Sequence, residues 1–167
     1  MTNDQHLEQM RRLTGANGWR TVVARALKDR APQFDKAAFD TYWIEGGHRI
    51  REQVGDDHHL AAFLWLSLPR YKAEAGARLE LYRGENADRL RLGLLGFAWT
   101  PDLGTAEMFA SGLNACGSGG VLLRAVVGAE IIAGPGAHSM YLGESQYTVD
   151  PTAGFPVERL AHFPPIF

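Results

Sequence analysis

Three short stretches of the chain carry residue types that can do chemistry. In Leu79-Glu80-Leu81-Tyr82-Arg83-Gly84 an arginine closes an alternating run and a glycine follows it. A guanidinium at a strand end offers a planar, two-armed donor to a phosphate, which a lysine does not. Arg83 is either such an anion-binding group or a surface arginine paired with Glu85 or Asp88. In Gly96-Phe97-Ala98-Trp99-Thr100-Pro101-Asp102 an aromatic–hydroxyl turn precedes Thr105-Ala106-Glu107-Met108-Phe109-Ala110. In Gly143-Glu144-Ser145-Gln146-Tyr147-Thr148-Val149-Asp150-Pro151 an acid and an amide stand two residues apart, on one face of a strand. An acid in that place can take a proton or face a developing positive charge; an amide can only hydrogen-bond. The plainer readings stay open beside these: Glu144 as an exposed strand acid, Gln146 as a solvated amide, Trp99 and Phe109 as core, Tyr82 and Tyr141 as core or rim.

Other chemistry-bearing residues lack a pattern. Cys116 is the single cysteine, so it forms no internal disulfide and no cysteine-rich zinc site. His48, His58 and His59 fall in helical stretches without H-E-x-x-H spacing, and no metal site is expected. The glycine clusters at 117–120 and 134–136 match neither a P-loop nor G-x-G-x-x-G and read as turns. No G-x-S-x-G elbow occurs.

The elements that must position the three stretches change character near residue 77. Residues 1–77 hold 6 of the 19 glycines and residues 78–167 hold 13, which suits helices first and short strands with glycine turns after. Residues 4–14 predict a frayed helix closed by Gly15. Trp19, Val22, Val23, Ala26 and Leu27 recur at helical spacing and end before Ala31-Pro32. Asp35 predicts the N-cap of a helix carrying Phe39, Tyr42 and Trp43, broken by Gly46-Gly47. Further helical stretches hold Ile50 and Val54, then Leu60, Phe63, Leu64 and Leu68 behind a cap at Asp57. In the second part the alternation around Leu79 and Leu81 predicts a strand ending at Gly84. Strands are also expected at Val121–Val127, Ile131-Ile132, around Tyr147 and Val149, and at 157–163, with one helix near 103–112. This order argues for an α+β fold in one compact unit: a helical part, 1–77, and a β-rich core, 78–167.

Composition bounds the rest. With 167 residues, 46% hydrophobic and 22% charged, the chain is neither disordered nor a coiled coil. It is long enough to bury a core without staples. A net charge of −2 argues against a broad nucleic-acid surface. No apolar run reaches the ~18 residues that a membrane span needs. The polar first residues predict no signal peptide, so a cytoplasmic protein is expected.

In their order, the three stretches resemble the ADP-ribosyltransferase family of the arginine–serine–glutamate type, which includes bacterial toxins and small phage and bacterial relatives. The resemblance covers about residues 78–151. It implies that the N-terminal helices pack on a split, mixed β-sandwich that binds NAD, as co-substrate, in a cleft between two small sheets. Arg83 would hold the NAD phosphates and Gly84 would let the backbone approach the nicotinamide. Ala98-Trp99-Thr100 would stand at the family's Ser-x-Ser/Thr motif, Phe109 near the nicotinamide ring, and Glu144 and Gln146 at its Glu/Gln-x-Glu.

That carboxylate matters because losing nicotinamide from NAD leaves an oxocarbenium ion on the ribose, which a charged group on the 2′-OH stabilises. The chain departs from the family twice: Ala98 replaces the first serine, and Gln146 replaces the catalytic glutamate. Gln146 leaves three readings: a relative that binds without turnover, Glu144 acting in its place, or an inactivated Glu-to-Gln form. The implied function is transfer of ADP-ribose to a macromolecular acceptor, a protein above all, as a toxin or effector, with NAD glycohydrolysis as its simplest form. Delivery into a target cell's cytosol and an immunity or antitoxin partner follow from the same resemblance. The alternative is a non-catalytic NAD- or partner-binding module on the same fold.

Overall fold

The computed structural model describes residues 1–136, 138, 143 and 145–166. The elements run α1 (Asn3–Gly15), α2 (Trp19–Asp29), α3 (Lys36–Val54), α4 (Asp57–Ser67), β1 (Leu79–Asn86), α5 (Ala87–Arg91), β2 (Ala98–Trp99), α6 (Leu103–Ser111), β3 (Gly120–Val127), β4 (Ile131–Ala133), β5 (Tyr147–Val149) and β6 (Glu158–Phe163). The fold is α+β. The chain divides into two compact units: Met1–Arg70 with Gly136–Ser139, and Tyr71–Pro135 with Met140–Phe167.

The first unit is helical. Thr2 and Gln5 form a capping box at the start of α1, so this helix is fastened where the sequence predicts fraying. The helix α3 runs through Gly46-Gly47, against the expected break. A Cβ on Gly46 would meet Tyr42 Cζ at 2.8 Å, and one on Gly47 would meet Trp43 Cε3 at 3.0 Å. The glycines make room for aromatic rings one turn back, and tertiary packing overrides their low helix propensity. Asp56, not Asp57, caps α4, its Oδ1 accepting from His59 N at 2.9 Å. Asp57 instead receives the two-armed Arg51 guanidinium, at 2.9 and 2.7 Å. The core gathers Met10, Trp19, Phe39, Ile50, Phe63 and Leu64. The Phe39 and Phe63 rings meet edge-on, 5.3 Å apart. The buried Thr14 hydroxyl takes the Trp19 indole N–H at 2.8 Å and lies in hydrogen-bond contact with the Tyr42 hydroxyl.

Gly136 and His138 complete this unit. The Asp40 carboxylate lies against Gly136, leaving no room for a side chain there. His138 Nε2 stands 3.2 Å from Glu45 Oε1. Burial pushes the Asp40 carboxyl up to about 6, with the His138 charge pulling the other way.

The second unit holds two three-stranded sheets, ordered β1-β3-β6 and β2-β5-β4. Every described strand pairing is antiparallel, where a mixed sandwich is expected from sequence. Only β4 and β5 are consecutive in the chain; the other pairings join strands that are far apart in sequence, and so their direction could not be read from turn lengths. Strand β1 continues past Gly84 to Asn86, whose side chain accepts from Asp88 N and Arg89 N to start α5. Its pleat sends Leu81, Arg83 and Glu85 to one face, opposite Ala125, Leu123 and Val121. Leu81, Leu123 and Ala125 join Trp99, Ile131 and Val149 in one apolar cluster. Tyr82 and Gly84 take the other face, where Leu122 packs with Ala106 and Ala110 of α6. No helix among the described residues is long and apolar enough to cross a membrane.

Candidate functional site

The candidate site is built around Arg83. Its side chain is 18% exposed and that of Glu85, on the same face of β1, is 1% exposed. Arg83 Nε donates to Glu85 Oε2 at 2.8 Å, and Arg83 Nη1 donates to the Ala98 carbonyl at 2.8 Å. Glu85 also accepts from Gly96 N on Oε2 and from Asn86 N on Oε1, both at 3.0 Å. Burial pushes the Glu85 carboxyl up, but the Arg83 charge and hydrogen bond, with the two backbone N–H groups, outweigh it. The net result lies below the usual carboxylate range. Gly96 has no side chain where the guanidinium sits: a Cβ there would meet Arg83 Nε at 2.5 Å and the outer guanidinium atoms closer still. A guanidinium has five N–H donors, and two of them are used in the described contacts.

The second stretch arrives through β2. The Ala98 carbonyl is the acceptor just named, so Ala98 serves through its backbone. Trp99 is buried at 2% exposure, its Nε1 donating to the Gly96 carbonyl at 3.0 Å and its ring edge-on to Phe155 at 5.7 Å. Trp99 is therefore a wall of the core that also ties the Gly96 turn. Thr100 and Tyr82 exchange backbone hydrogen bonds at 2.7 and 2.9 Å, which joins β1 to the residue after β2. The Thr100 hydroxyl accepts from Asp102 N at 3.1 Å, and Asp102 in turn caps α6 through Thr105 N.

The third stretch arrives through β5. Ala98 pairs with Thr148 and Trp99 with Tyr147, so Gln146 stands directly before the strand that lines up with β2. Gln146 is half-buried and follows Ser145, whose φ is +45°. Burial, then the neighbouring Tyr71, pushes the Tyr147 hydroxyl up. Glu144 and Tyr141 lie outside the described residues.

Two predicted site residues are placed elsewhere. Gly84 shows its bare side to α6, opposite the face of Arg83: a Cβ there would meet the Ala106 carbonyl at 2.5 Å. Its missing side chain thus seats a helix. Phe109, half-buried, belongs to that same helix on that same face. On the exposed part of this face Arg124 bridges Glu80 at 2.9 Å and Glu158 at 3.0 Å, while the Tyr82 hydroxyl donates to Glu80. The Arg124 and Tyr82 hydrogen bonds hold the Glu80 carboxyl down at about 2.

Glu85 and Gly96 are the residues that the sequence reading missed as parts of the site. Continuing the period of two from Leu81 and Arg83 across Gly84 puts Glu85 on the Arg83 face, and that signal was legible. Nothing in the residues around Gly96 announces it. Among the described residues no group of three or more His, Cys, Asp or Glu is arranged to hold a metal ion. No protein-family model, curated protein or solved structure matches the chain.

Proposed function

We propose that the chain is an ADP-ribosyltransferase of the arginine–serine–glutamate type, on a split β-sandwich, that transfers ADP-ribose from NAD to a macromolecular acceptor. The observation that supports this reading is a chain of contacts that links three distant stretches, starting from the half-buried Arg83 guanidinium. Arg83 bonds the Ala98 carbonyl, Ala98 pairs with Thr148, and Gln146 leads into that strand. The residues fit a dinucleotide in one respect: the unused arms of Arg83 suit diphosphate oxygens.

In this reading the acceptor attacks the ribose C1′ as its bond to nicotinamide breaks, and the acceptor's proton passes to a base or to water. Gln146 holds the ribose 2′-hydroxyl but supplies no charge, so turnover is slow. Glu144 is the remaining acid of the motif and orients or deprotonates the acceptor. A toxin or effector role, with a protein acceptor and an immunity partner, goes with this chemistry. The uncharged Gln146 also supports the second reading, a module that binds NAD or a partner without turnover.

The test is calorimetric titration of the full chain with NAD, beside Arg83→Lys. Lysine keeps the charge against Glu85 but loses the fork. Arg83→Lys is expected to weaken NAD binding by about 1.5–3 kcal/mol, the range for hydrogen bonds to charged groups. A chain that does not bind NAD overturns the first reading and leaves of the second only a module that binds a partner.

A further inference from the structure

Glu85 is an acid buried to 1% exposure on a strand face whose opposite neighbours include Val121 and Leu123. A buried ion pair is by itself weak evidence for a gain in stability, since well-packed apolar residues often serve as well. Glu85 also takes the Gly96 and Asn86 backbone N–H groups. What the pair does is fix direction. Glu85 Oε2 holds Arg83 Nε and Gly96 N at 2.8 and 3.0 Å, while the Ala98 carbonyl holds Nη1. The guanidinium plane is pinned at two atoms, and the missing side chain at Gly96 leaves it the space. Arg89 Nε, 3.9 Å from Glu85 Oε1, adds a second positive charge on the outer side.

We infer that Glu85 is a positioning residue: by gripping Arg83 Nε and the Gly96 turn together, it aims the unused arms of the guanidinium at a diphosphate. This rests on the reading that Arg83 takes the phosphates of NAD. A pinned fork loses little freedom when an anion arrives, and so binds more tightly than a mobile one.

The experiment titrates the full chain with ADP-ribose, which carries the diphosphate and no leaving group. Four forms are compared by calorimetry: unchanged, Glu85→Gln, Arg83→Gln, and both together. Glu85→Gln keeps the shape of the side chain and is expected to weaken ADP-ribose binding about tenfold or more. Adding it to Arg83→Gln is expected to cost nothing further, because its effect passes through Arg83. A purely structural role would instead add its loss to that of Arg83→Gln, and that result overturns the inference. Equal binding by the unchanged chain and Glu85→Gln overturns it too, while leaving the phosphate role of Arg83 standing. An unchanged chain that binds neither ADP-ribose nor NAD removes the underlying reading. Should Glu85→Gln not fold, Gly96→Ala attacks the same geometry from the other side, by crowding the guanidinium. It is expected to weaken ADP-ribose binding comparably, and undiminished binding there overturns the inference.

Discussion

Gly84 lies directly against Ala110: a Cβ on Gly84 would stand 2.9 Å from the Ala110 Cα and closer to its backbone nitrogen. Helix α6 thus rests on the backbone of β1. Gly84→Ala forces helix and strand apart and is expected to destabilise the protein by about 1–3 kcal/mol, the usual cost of overpacking. Urea unfolding measures it, with Gly15→Ala as the control. Gly15 ends α1 with nothing within 4 Å of a Cβ, so that change is expected to be neutral or slightly stabilising. Equal effects at both positions would contradict the seating of α6.

Thr14 is the polar centre of the helical unit. Thr14→Val keeps the shape but leaves the Trp19 indole N–H and the Tyr42 hydroxyl without this partner. The expected loss is about 1–3 kcal/mol, the desolvation cost of stranded buried groups. Thr14→Ser retains the oxygen and is expected to recover most of it. Tryptophan fluorescence during denaturant unfolding reads both variants.

The run Val121-Leu122-Leu123-Arg124-Ala125-Val126-Val127 reads as a strand and lies in β3, because three valines in a short apolar run set off by the glycines at 117–120 favour a strand. The apolar spacing of Trp19, Val23 and Ala26 likewise announces α2. Gly46-Gly47 misled because a glycine pair punctuates an exposed chain, whereas here Tyr42 and Trp43 fold back over it. Strand β2 has two residues, too few for any period to show, and α5 has five. The site was legible as three motifs but not as a geometry. The pairing of Arg83 with Glu85 looks in sequence like a surface ion pair, and only burial turns it into an anchor.

Gln146→Glu tests the proposed chemistry. The two side chains are nearly isosteric, so the fold should not change. A carboxylate facing the ribose is expected to raise nicotinamide release by ~10²-fold or more with little change in NAD affinity, since the gain belongs to the transition state. Release is measured for both forms with a protein extract as acceptor. Equal and substantial rates would move the role to Glu144, and two inactive forms that still bind NAD would favour the binding module.

Asp40 makes the helical unit sensitive to pH. Its carboxyl is raised from 3.8 to about 6, so the folded state holds its proton more tightly than the unfolded state. Stability from this group is therefore greatest below about pH 4. It falls as pH rises and levels off above about 6. Asp40→Asn removes the titration. It is expected to match the unchanged chain near pH 4 and to exceed it by on the order of 1 kcal/mol at pH 8, a figure reduced for the group's partial exposure. Denaturant unfolding at both pH values checks the sign, and a variant weaker at pH 8 would refute it.

The placement of Gly136–Ser139 within the helical unit has a bearing on how the protein is made. When residue 70 leaves the ribosome, Asp40 and Glu45 still lack the segment that brings Gly136 and His138. That segment emerges on the order of several seconds later at ordinary translation speeds. A nick between Arg70 and Tyr71 would yield two fragments, and the longer would carry a piece of the other's unit. Co-expressed halves cut there should find one another through that piece.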